Sequence, residues 1–204
     1  MMLSGVAMIR RWCEGECLGL ARFAGNESGV SAVEFALILP IMITLYLGSV
    51  EVTEAVSIDR KVTLIAHTVA DLTARENKMS KVTDTPSDSD LLTVLDASTA
   101  VVSPFKVSPL KVTLTLVQID RSGRATVAWS KSLSGGSSLG AGDRSGTVTS
   151  SIPTAIIGTC TSDTAPSPCT VVWGEASYTY TPAIGYVITG PMTLKDSQFL
   201  KPRG

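Results

Sequence analysis

Apolar residues fall along this chain in three regimes. From Val30 to Val50 the order is Val-Ser-Ala-Val-Glu-Phe-Ala-Leu-Ile-Leu-Pro-Ile-Met-Ile-Thr-Leu-Tyr-Leu-Gly-Ser-Val, with Glu34 as its one charge. At the helical rise this run reaches about 32 Å, close to the thickness of a bilayer's hydrocarbon layer. It predicts a transmembrane helix over 30–50, kinked at Pro40, whose ring removes one backbone hydrogen bond. Past Val50 polar residues return, but no helix breaker comes before about Lys78. Val52, Ala55, Val56, Val62, Ile65, Ala66, Val69 and Leu72 recur at spacings of three and four, which predicts a stalk helix over 51–78 with one apolar face. That face must be buried against its own domain, a neighbouring subunit, or both. Glu51, Glu54, Arg60, Lys61 and Arg75 fall mostly off the stripe.

The third regime has a period of two. Ser80–Asp90 is polar, contains Pro86 and reads as a loop; Ser87 or Asp88 can cap a short helix carrying Leu91, Leu92, Leu95 and Val102. Val112–Ile119 alternates, Asp120-Arg121-Ser122-Gly123 supplies a turn, and Arg124–Ser130 returns, so this stretch predicts a β-hairpin. Ser134–Gly146 is rich in Gly and Ser, shows no period and reads as a solvated connector; it lacks the Gly-Lys-Ser/Thr ending of a phosphate-binding loop. A third strand is expected over Thr170–Thr181, ended by Pro182, and a further extended piece over Met192–Lys195. The fold class that follows is α+β, a long N-terminal transmembrane and stalk helix packed on a small antiparallel sheet. The expected division is a leader over 1–29, the membrane helix over 30–50, the stalk over 51–78 and an exported domain over 79–204.

Composition narrows the function classes. With 17 Lys+Arg against 18 Asp+Glu and no basic stripe, nothing favours nucleic acid as a partner. The single histidine, His67, has no ligand partners in sequence. There is no Ser-His-Asp grouping, no spaced metal-ligand set and no dinucleotide-type glycine fingerprint. The expectation is a chain without catalysis, cofactor, metal or small-molecule substrate. The four cysteines form two close pairs. Cys160 and Cys169 bracket a turn-forming Thr-Ser-Asp-Thr-Ala-Pro-Ser-Pro stretch, and a disulfide closing it is the preferred reading, stabilising by roughly 3 kcal/mol on the loop-entropy model. Such a bond places the C-terminal part in an oxidising compartment. Cys13 and Cys17 lie in the leader and are read as reduced.

Glu34 is the residue that needs a reason. A carboxylate costs roughly 2.5–3.5 kcal/mol at mid-bilayer on insertion scales, less near the interface, and is a functional-site hypothesis by default. Arg10, Arg11 and Arg22 precede the apolar run, which favours a cytoplasmic N-terminus. The order of segments is inverted relative to a secretory signal, because the polar leader ends at Gly29 and the apolar run begins at once. Cleavage there would leave the run on the mature chain as an anchor. The plainer alternative is an uncleaved single-pass anchor whose Glu34 snorkels to the interface.

The run Gly29–Pro40 followed by Gly48 and Glu51 resembles the N-terminal segment of TadE-like proteins, the pseudopilins or minor pilins of the tight-adherence (Flp-type) pilus system. Val127-Ala128-Trp129-Ser130 after Asp120…Gly123, then Glu175–Pro182 and Asp196–Arg203, resemble the family's exported portion. The resemblance implies a pilin-like subunit of the inner membrane, its N-terminus cytoplasmic and its C-terminal domain periplasmic or carried into an extracellular pilus. It implies cutting between Gly29 and Val30 by a prepilin peptidase, with other pilins and pseudopilins as partners and Glu34, Phe35 and Pro40 as assembly residues. Glu34 becomes the fifth residue of the mature chain, about 6 Å along the helix from the new ammonium at Val30. Between neighbouring subunits that pairing would set axial register, as isolated polar groups do in helical assemblies. A domain this large fits a minor or initiating subunit better than the short principal pilin. The competing function is a single-pass, membrane-anchored adhesin or binding module, with the Cys160–Cys169 loop and the Ser134–Gly146 connector as contact sites.

Overall fold

The computed structural model describes residues 27–76, 87–136, 138–162, 168–182, 185 and 188–203. The chain divides into two compact units, Met1–Val50 and Glu51–Gly204. The expected leader, with Cys13 and Cys17, lies almost wholly outside the described residues.

The first helix, α1, spans Glu27–Arg75 and so begins a turn before the apolar run. In the first unit its large apolar side chains, from Val30 and Val33 through Tyr46, are exposed. Pro40 sits inside the helix, where it lacks the N–H that would donate to the preceding turn. The Thr44 hydroxyl donates to the carbonyls of Pro40 and Ile41, at 2.9 and 2.8 Å, and Ser49 donates to Tyr46 at 2.8 Å. Each hydroxyl is satisfied within its own turn, as a helix in a waterless medium requires.

In the second unit α1 buries Ala55, Ile58, Val62, Ile65, Ala66, Val69, Ala70 and Ala74 along one side. Val52 and Val56, read from their spacing as part of this face, are exposed instead. The true stripe is rotated, running through Glu51, Ala55 and Ile58. Asn77 and Lys78, the expected end of the stalk, lie outside the described residues. Helix α2 (Asp88–Val102) is capped by Ser87, whose hydroxyl accepts from the Asp90 N–H. It adds Leu91, Val94, Leu95 and Val102 to the same core, whereas Leu92 faces out.

Five antiparallel strands follow: β1 (Leu110–Ile119), β2 (Ala125–Ser134), β3 (Ser138–Ala141), β4 (Cys169–Tyr180) and β5 (Met192–Leu200), in the order β3-β2-β1-β4-β5. Asp120 closes the β1–β2 turn by accepting from the Ser122 hydroxyl and from the backbone N–H groups of Ser122 and Arg124. Those bonds, led by the one from the Ser122 side chain, hold its pKa below the usual carboxylate value. Val112, Leu114 and Leu116 face the helices, with Leu133 and Trp129 of β2 and Val172 and Ala176 of β4 beside them. Gly174 lies where α1 crosses. A side chain there would meet the Ala66 carbonyl oxygen and the Ala70 methyl at 2.9 Å, so glycine opposite two alanines lets helix and sheet backbones close up.

The sheet's other face carries a smaller core of Val117, Ile119, Ala125, Val171 and Trp173, covered by Val148, Ile152 and helix α3 (Thr154–Thr161). A register shift between Leu116 and Val117 turns Val127 and Ala125 toward this core while Trp129 stays on the helix face. Cys160 at the end of α3 and Cys169 at the start of β4 are joined in a disulfide, their Cα atoms 5.5 Å apart.

Three elements differ from the sequence reading. The Ser134–Gly146 connector contains β3, which returns along β2 after Gly135 and Gly136, both at positive φ. Arg144 then fastens it, donating to both carboxylate oxygens of Glu175 at 3.1 and 2.8 Å and lying 4.3 Å from the Trp173 ring centre. Helix α3 was not expected: eight residues with two isoleucines, three threonines and a glycine have little propensity, and packing decides. Strand β5 runs to Leu200, beyond Lys195, because its free edge tolerates the charges of Lys195 and Asp196.

Candidate functional site

The candidate site is α1, in two stretches that share a helix and differ in what surrounds them. Gly29 and Val30 lie in its first turns. No atom would come within 4 Å of a Cβ added at Gly29, and its φ is not positive, so neither packing nor backbone geometry within the chain asks for glycine. A helical glycine costs about 1 kcal/mol relative to alanine. Val30 and Glu34 stand one turn apart on one helix face, both exposed. Glu34 has no hydrogen bond or ion pair among the described residues. Phe35 is 65% exposed beside it. The arrangement presents one carboxylate on a rod that is apolar on every side.

At the start of the second unit lies a carboxylate of opposite character. Glu51 is 2% exposed. It accepts from the backbone N–H of Gly185 at 2.7 Å and of Ile188 at 3.3 Å, both in the β4–β5 connection. One turn on, Glu54 accepts from the Tyr180 hydroxyl at 3.2 Å. Burial raises the Tyr180 pKa above 10, and the bond to Glu54 and the charges of Glu54 and Glu51 raise it further. Lys61, assigned to the solvated side from its spacing, instead donates to the carbonyls of Val101 and Ser103 at the end of α2 and lies over the Phe105 ring. A basic group at a helix C-terminus satisfies orphan carbonyls and offsets the dipole. The spacing could not show this, because the partners of Glu51 and Lys61 stand 134 and 40 residues away.

His67 is exposed on α1, and no group of three or more His, Cys, Asp or Glu among the described residues could hold a metal ion. A polar cleft of about 320 Å³ lies on the sheet face away from α1 and α2, lined by Lys111, Asp143, Arg144, Glu175, Lys195 and Asp196 among others. Four of these charges are paired, Lys111 with Asp143 and Arg144 with Glu175.

α1 is long and apolar enough to cross a membrane. The family model for TadE-like protein matches residues 29–76, which takes in Gly29, Glu34, Pro40 and Glu51. No curated protein and no solved structure matches the chain.

Proposed function

We propose, from the premise that residues 29–76 of this chain are a TadE-like segment, that it is a minor pilin of a tight-adherence (Flp-type) pilus machine. Apart from that match, the observation that carries the reading is Glu34: an exposed acid without a partner among the described residues, four positions beyond Val30 on a helix stretch whose large apolar side chains are exposed. A prepilin peptidase cuts between Gly29 and Val30, frees an ammonium and leaves 30–50 as the anchor in the inner membrane. The domain from Glu51 onward then faces the periplasm, where the Cys160–Cys169 bond is stable. Glu34 meets the ammonium of a neighbouring pilin or pseudopilin, and in low dielectric either charge left alone is strongly disfavoured. The pairing fixes how far one helix slides along the next, while Phe35 and Pro40 shape the contact. The work is done by lateral association of helices and not by catalysis.

Gly29→Leu and Glu34→Ala separate the two steps. Gly29→Leu meets open space in the fold, so uncut precursor in cells carrying the peptidase reports recognition and not misfolding. Glu34→Ala should be cut normally and fail to assemble. The mature mass should correspond to a chain beginning at Val30. A mature chain beginning elsewhere, or normal pili from both variants, overturns the reading.

A further inference from the structure

On the sheet face away from α1 and α2, strand register sets two rows of polar side chains next to each other. Lys111, Ser177 and Lys195 stand side by side across β1, β4 and β5, and two positions along come Thr113, Glu175 and Ser197. The segment after β3 builds a wall beside these rows. A side chain at Gly142 would run into the Ser130 hydroxyl, so glycine lets this segment lie flat on β2, its N–H donating to the Ser130 carbonyl at 3.0 Å. From that wall Asp143 pairs with Lys111 and Arg144 with Glu175. The rows and the wall enclose the cleft of about 320 Å³, a volume at the lower end of small-molecule sites.

Two groups in the cleft are left over. Lys195 has no ion pair or hydrogen bond among the described residues, so this face carries one cation more than its anions. Asp196 does not cancel it: the next residue of a strand leaves from the opposite side, and its carboxylate accepts from the Ser197 N–H at 2.7 Å. Thr113 is 5% exposed. Its neighbour Thr115 shares a hydrogen bond with Ser130 at 2.8 Å, but the Thr113 hydroxyl has none among the described residues. Buried polar groups are nearly always bonded, so this one calls for a partner that enters through the cleft. An apolar ligand finds no footing, since Ala176 is the one apolar residue lining the site and Arg144 covers the Trp173 ring. Lys195 and Thr113 stand two strand spacings and two residues apart, about 12 Å at the backbone, too far for one bare inorganic anion to serve both. We infer that the cleft binds a hydroxy acid of the sugar-acid class, its carboxylate on the Lys195 ammonium and its hydroxyls on Thr113 and the Glu175 oxygens. This site lies wholly within the second unit and depends neither on cleavage at Gly29 nor on a membrane span.

The test uses the full chain in micelles of deuterated detergent, with saturation transfer from protein to ligand protons read by NMR. The probes are galacturonate, galactose and acetate at equal concentration, with tetragalacturonate as the chained form. Galacturonate should bind several-fold better than galactose or acetate, each of which offers only part of the chemistry. Lys195→Gln, at an exposed side chain, should weaken galacturonate about tenfold and leave galactose unchanged. Thr113→Val, which keeps the side chain's shape, should weaken both sugars several-fold while circular dichroism shows the sheet intact. Tetragalacturonate bound more tightly than galacturonate assigns the site to an acidic polysaccharide, and equal binding assigns it to the free sugar acid; either result supports the site. Galacturonate bound no better than galactose or acetate overturns it. Galacturonate binding unchanged in Lys195→Gln also overturns it, whatever Thr113→Val does to the fold.

Discussion

Two glutamates on one helix, Glu34 and Glu51, show how the same side chain acquires opposite roles from its surroundings. Both border the apolar run, one a turn inside it and the other directly after it. Glu51 is enclosed and accepts two backbone N–H bonds, so its charge is used up within its own domain. Glu34 is exposed, with no partner among the described residues, so its charge remains available to another molecule. The helix stretches around them differ in the same way. Residues 30–46 are apolar on every side, whereas 51–75 bury one stripe and are polar on the rest. A stretch that is apolar all round requires a medium, and a striped stretch requires a partner surface.

The sharpest break of this comparison is steric. Gly174→Leu would drive a side chain into the Ala66 and Ala70 backbone of α1, and the domain should fail to fold, read as loss of the cooperative thermal transition. Ile65→Ala in the striped stretch should lower domain stability by about 2–5 kcal/mol in denaturant titrations. Ile38→Ala in the apolar stretch should leave the same titration unchanged, since Ile38 is exposed within the chain. A comparable loss from both would show that the two stretches do not differ as described.

The next effect in size separates the glutamates. Glu51→Ala strands two part-buried N–H groups and should cost about 1–3 kcal/mol. Glu34→Ala should cost the domain nothing. The smallest effect concerns pH. Because the Tyr180 pKa is raised above 10 in the folded state, that state holds its proton more tightly than the unfolded chain does. Stability from this source is complete below about pH 10 and falls as pH rises through the folded pKa. Tyr180→Phe should therefore flatten the alkaline fall in stability, with phenolate absorbance losing its latest-titrating component. An unchanged alkaline profile would mean that the tyrosine is not held as described.

Local patterns in the sequence revealed much of this architecture. The apolar run, the Ser87 cap, the hairpin around Asp120 and strand β4 each announce themselves within a dozen residues through period or turn chemistry. Features that depend on distant partners were not legible. Val52 and Val56 have the right spacing for the buried stripe, but the sheet meets the helix on a face rotated away from them. Lys61 and Glu51 read as solvated because the carbonyls and N–H groups they bind are remote in sequence. Strand β3 has neither alternation nor β-branched residues, and pairing with β2 alone defines it. At the candidate site, Glu34 stood out as an acid in an apolar run, and Gly29 and Val30 as the boundary where the polar leader ends and that run begins.

The bond between Cys160 and Cys169 has a consequence for timing. It clamps α3 to the first residue of β4, so the lid over the smaller core is riveted only where an oxidant is present. In the reducing cytoplasm that lid is held by packing alone. On the proposed export of the domain, a subunit that has crossed would differ from one that has not by this covalent mark.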